Sequence, residues 1–81
     1  MEDKTLDPAA LDELLCGIIR DNQEKVVGWI RGEPGCWGFL AGKSVAACRQ
    51  DLGRPLADGE RRLVWHRLWQ WLEHIKANAL S

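Results

Sequence analysis

The sequence predicts a small all-α protein, a four-helix bundle. Three observations lead there. Apolar residues recur at helical spacing in several segments, glycine and proline punctuate the chain between those segments, and no stretch alternates as a strand would. With 81 residues, 46% hydrophobic and 28% charged, the chain has the size and mixture of one globular domain and not of a disordered tract. Five tryptophans and no tyrosine suggest a core built on large aromatic areas. Residues 1–6 are polar and expected to be a flexible N-terminus, with a single helical domain over 7–78.

The first helix is expected from Asp7-Pro8, where Asp can cap and Pro suits the first helical position, to about Asp21. Leu11, Leu14, Leu15, Ile18 and Ile19 fall on one face. Asn22 can cap a second, short helix over about 23–31, with Val26, Val27 and Ile30 inward. Gly32 reads as its left-handed C-terminal cap, with Pro34 close behind.

The third helix is expected to start at Pro34 or Gly35 and reach about Gln50. Gly35, Gly38 and Gly42 share one side of it, beside Ala41 and Ala46. Such a side is nearly flat. It suits either tight packing against a neighbouring helix or a surface for a ligand or an RNA backbone. A turn is expected over Asp51–Ala57, around Gly53 and Pro55. Asp58 can then cap a last helix over about 59–77. Val64, Trp65, Leu68, Trp69, Trp71, Leu72 and Ile75 make its apolar arc, with Trp69 at the edge.

The formal net charge of −1 argues against a protein that coats nucleic acid by charge alone, though it permits a local basic face. No apolar run is long enough to span a membrane, and the first residues lack a signal-peptide pattern. Cys16, Cys36 and Cys48 are odd in number and form no Cys-x-x-Cys pair. They read as reduced thiols, and the expected location is cytoplasmic.

Nothing supports an enzyme. His66 and His74 are about two helical turns apart, too far to share a metal without other ligands. Cys36 or Cys48 with a His has no nucleophile motif around it. Gly42-Lys43-Ser44 would need a glycine at 37 to be a phosphate loop, and 37 is Trp. No cofactor is expected.

Asn22, Val26, Gly32 and the run Gly38-Phe39-Leu40-Ala41-Gly42-Lys43 follow a helix containing Leu-Leu-Cys-Gly-Ile-Ile-Arg-Asp. In these residues and their spacing, the stretch from about Ala10 to Val45 resembles the GatB/YqeY tail domain. That is the helical domain closing the B subunit of the tRNA-dependent Asp/Glu amidotransferase, found also in YqeY-like proteins. The chain departs from the pattern at Gln23, where the family usually has Pro, at Ser44-Val45-Ala46, and throughout its tryptophan-rich last helix. The catalytic body of the amidotransferase subunit is absent.

The resemblance implies a helical fold and contact with tRNA through Gly38, Phe39, Leu40, Gly42 and Lys43. Arg49 and Arg54 are added as nearby cations on the same helix and the turn after it. The expected function is a non-catalytic tRNA- or RNA-contacting accessory of translation. The alternative is a protein-interaction domain, dimeric or docked on a larger partner, using Trp65 and Trp69. The first reading requires clustered Lys and Arg beside Gly38 and Gly42. The second requires a contiguous apolar surface carrying Trp65 or Trp69.

Overall fold

A computed structural model describes residues 6–80, with side chains through Ala79. The chain forms four helices: α1 (Pro8–Asp21), α2 (Gln23–Ile30), α3 (Cys36–Leu52) and α4 (Asp58–Leu80). Among the described residues there is no strand, and no helix is long and apolar enough to cross a membrane. The expected flexible segment lies outside the described residues except for Leu6, which packs against the core and so belongs to the folded unit.

Local chemistry sets the breaks. At the end of α2 the Gly32 N–H donates to the Trp29 carbonyl at 3.0 Å and the Glu33 N–H to the Gly28 carbonyl at 2.9 Å. This paired closure needs a left-handed residue between, and Gly32 takes it with φ 78°. Gly28 is required for another reason: a Cβ there would lie 2.5 Å from the Cys36 sulfur. Through that close approach α2 seats against the start of α3.

None of the three expected capping residues caps through its side chain as expected, and one is displaced. Asp7 precedes Pro8 without a side-chain capping bond. Asn22 turns back and donates from Nδ2 to the Ile18 carbonyl at 2.8 Å, closing α1 rather than opening α2. Asp58 is already helical, so Ala57 holds the capping position. The Glu60 carboxylate reaches back to accept the Ala57 N–H at 2.9 Å, one half of a capping box. Gly35 is not in α3; it stands before it with φ 87°. The turn shortens to 53–57, because Asp51 and Leu52 remain helical.

The core is aliphatic. Leu11 and Leu15 of α1, Leu40 of α3, and Val64, Leu68 and Leu72 of α4 are almost completely buried. The expectation of a tryptophan core is corrected: Trp65 and Trp69 are exposed, and Trp29, Trp37 and Trp71 are half-buried. On α4, residues 64, 68 and 72 recur every four positions and take the centre of the apolar arc. The wider indoles are left at its two edges, where one ring face can remain in water.

Candidate functional site

One face of α3 is core and the opposite face is open. Leu40, Ser44 and Cys48 point inward, and the Ser44 hydroxyl is spent on the Leu40 carbonyl at 2.8 Å. Gly38, Gly42, Ala46 and Arg49 are exposed. A Cβ built on Gly38 or Gly42 would meet nothing within 4 Å. Tight helix packing therefore does not account for these glycines. They form the floor of an open groove of about 540 Å³ between α3 and α4, walled by Trp37 and Trp65 and flanked by Arg49 and Arg61.

The groove continues past Ala46 and Arg49 into a second hollow, bounded by Arg54 and Pro55 in the turn after α3. Among the described residues no carboxylate lines either hollow. The three arginines differ in how free they are. Arg54 is clamped on Glu60 by two bonds of 2.8 Å. That clamp, with the Ala57 N–H, lowers the Glu60 carboxyl to about 2. Arg61 pairs with Asp58 on its own helix, both well exposed. Arg49 is exposed and makes no ion pair among the described residues.

On the next strip of the α3 surface, Phe39 is 38% exposed. The Lys25 and Lys43 ammonium groups lie 5.0 and 5.6 Å from its ring centre. Two helices thus deliver cations to one exposed aromatic face. Beyond the groove, Trp69 meets Trp29 and Trp37 edge-on, at 5.3 and 5.6 Å between ring centres. The expectation that Trp69 lies at the edge of the arc holds: it is 45% exposed.

The expected site residues divide. Gly38, Phe39, Gly42, Lys43 and Arg49 share the open side of α3. Leu40 is fully buried and drops out of any contact surface. Arg54 is at the right place but already committed to Glu60. Arg67, a further basic residue of α4, lies on its far edge, bound to Asp12 of α1. Arg61, one of the α4 cations with Arg62 and Arg67 that the sequence offers for a basic patch, lines the groove one helical turn before Trp65.

Among the described residues no group of three His, Cys, Asp or Glu side chains could hold a metal ion. Cys36 and Cys48 are buried and Cys16 is exposed, all as free thiols. Burial, more than the nearby Asp51, raises the Cys48 thiol above its ordinary value and keeps it protonated.

No family model, curated protein or solved structure matches the chain.

Proposed function

We propose that this protein is a non-catalytic RNA-contacting module, an accessory to translation, that presents the open side of α3 to tRNA or another structured RNA. One observation carries the reading. In a chain of net charge −1, Arg49, Arg54 and Arg61 line the α3–α4 groove and the hollow beyond it, with no acid lining either among the described residues; Arg54 and Arg61 are offset by Glu60 and Asp58, and Arg49 is in no ion pair there. Lys25 and Lys43 extend the positive strip around Phe39. Local charge, not the total, sets the field that a phosphate backbone meets. The glycine floor lets that backbone come close to the helix. The likeness of the stretch from about Ala10 to Val45 to the GatB/YqeY tail domain points the same way.

The exposure of Trp65 and Trp69, at 40% and 45%, favours a second reading, a protein-interaction surface that includes pairing with another copy of the chain. Titration of bulk tRNA into the protein at two salt concentrations, followed by tryptophan fluorescence, separates the two. The RNA module shows saturable binding that weakens with salt. Lys43→Glu with Arg49→Glu abolishes it at moderate salt, and the residual slope falls by at least about 1 per cation removed. Absence of binding at low salt rejects the RNA reading. A molecular mass that rises with protein concentration, and that Trp65→Ala returns to the monomer, establishes the second.

A further inference from the structure

Helix α4 carries the spacing Arg-x-x-x-Trp twice, as Arg61–Trp65 and as Arg67–Trp71. The fold shows what such a pair does with an anion. Asp12 of α1 lies against Arg67 and Trp71. Its two carboxylate oxygens each accept from Arg67 Nη2 at 2.6 Å, and Oδ1 also accepts from Arg67 Nε and from the Trp71 indole N–H, both at 3.2 Å. The Arg61–Trp65 pair faces α3 instead, and there the sequence supplies Gly38 and Gly42 with Arg49 beside them. Among the described residues no carboxylate lines this groove. Arg61 is held only by Asp58 of its own helix, an exposed pair of the kind that contributes little and competes weakly with an incoming anion.

Resting on the RNA reading above, we propose that the α3–α4 groove is a slot for one unpaired nucleotide of an RNA strand. Its base lies against Trp65 over the Gly38–Gly42 floor, and its phosphate is taken by Arg49 and Arg61. The volume, about 540 Å³, is within the range of roughly 300–1,000 Å³ that small-ligand sites occupy. The lining is an indole wall, a floor without side chains and a cationic end, which matches a flat aromatic base attached to a phosphate. A paired base cannot enter, because its faces are already stacked inside the duplex and RNA helices present mainly backbone and 2′-hydroxyls. The slot therefore selects loops, bulges and single strands, with little sequence preference, since every base has a face to stack.

The test is fluorescence anisotropy with a labelled single-stranded oligoadenylate and a blunt RNA duplex of the same length, titrated with the full chain at one salt concentration. The slot predicts single-strand binding about tenfold tighter or more. Trp65→Ala removes that advantage, a loss of about tenfold on the single strand, and leaves duplex binding unchanged. Gly42→Leu fills the floor from a position with free space and weakens single-strand binding more than duplex binding, so the test does not hang on the tryptophan variant folding well. Equal binding of single strand and duplex, insensitive to both variants, overturns the slot while leaving a phosphate-contacting module. No binding of either RNA overturns both. Competition by adenosine monophosphate or by polyglutamate at the affinity of the oligonucleotide overturns the slot in favour of a free nucleotide or an acidic peptide.

Discussion

The two sides of α4 carry the same chemistry and end in opposite states. Toward α1, Arg67 and Trp71 close on Asp12 in a bonded, half-buried seam. Toward α3, Arg61 and Trp65 border an open groove. The difference lies in the facing helix. Helix α1 supplies a carboxylate at the right height, and α3 supplies two glycines and a further arginine. Side chains of one type thus hold the fold together on one side and remain available on the other. What makes a surface arginine structural or functional here is whether the chain brings its own anion to it.

The strongest way to break the comparison is at the level beneath both sides. Leu68 is fully buried between the two edges of α4. Leu68→Ala should cost about 2–5 kcal/mol, seen as a large drop in the denaturation midpoint, whereas Trp65→Ala on the groove side should cost far less. A comparable loss at Trp65 would mean that its ring supports the core and that the groove is not an independent surface. The resemblance-based site failed at the same distinction. Leu40 sits among contact residues in the motif, but its position one turn from Ser44 puts it on the core face.

Asp12→Ala should have the next largest effect, because it leaves Arg67 and Trp71 without their acceptor, while Asp58→Ala should change stability little. The seam also predicts a pH signature. The hydrogen bonds from Arg67, more than that from Trp71, hold the Asp12 carboxyl below its ordinary value of 3.8. A carboxyl lowered in the folded state stabilises the protein at pH values above its unfolded pKa. That contribution is lost as the pH falls below about 3.8 toward the folded value. Chemical denaturation down the acid range should show a steeper loss of stability in the parent than in Asp12→Ala. Identical slopes would show that the ion pair does not hold in solution.

Much of the fold was legible because its punctuation is backbone chemistry. Pro8 and Gly32 mark ends that few other residues could make, and the recurrence of Leu and Val every three or four positions marks the inward faces. The caps were less legible. Asp7, Asn22 and Asp58 each have several hydrogen-bond choices, and only the packed structure decides among them. The tryptophans misled because a hydropathy arc weighs them like leucines, whereas the space among four short helices admits leucine and leaves the indoles at the rim. Of the groove, Gly38, Gly42, Arg49 and Trp65 were each singled out, but under competing functions. Only the packing of α3 beside α4 shows that they share one surface.

The smallest effect sharpens the comparison most, because its sign is opposite to that of the others. Within a helix glycine costs about 0.5–1 kcal/mol relative to alanine, and a Cβ at Gly42 would touch nothing. Gly42→Ala should therefore raise stability by about that amount, measured as a higher denaturation midpoint with unchanged slope. On the side toward α1 no such gain is on offer, since Asp12 is already matched to its partners. A gain at Gly42 would mean that the glycine is retained at a cost to the fold, which is intelligible if something outside the chain needs the space. A loss would mean that α3 and α4 approach more closely than the open groove allows, and that the glycine serves packing after all.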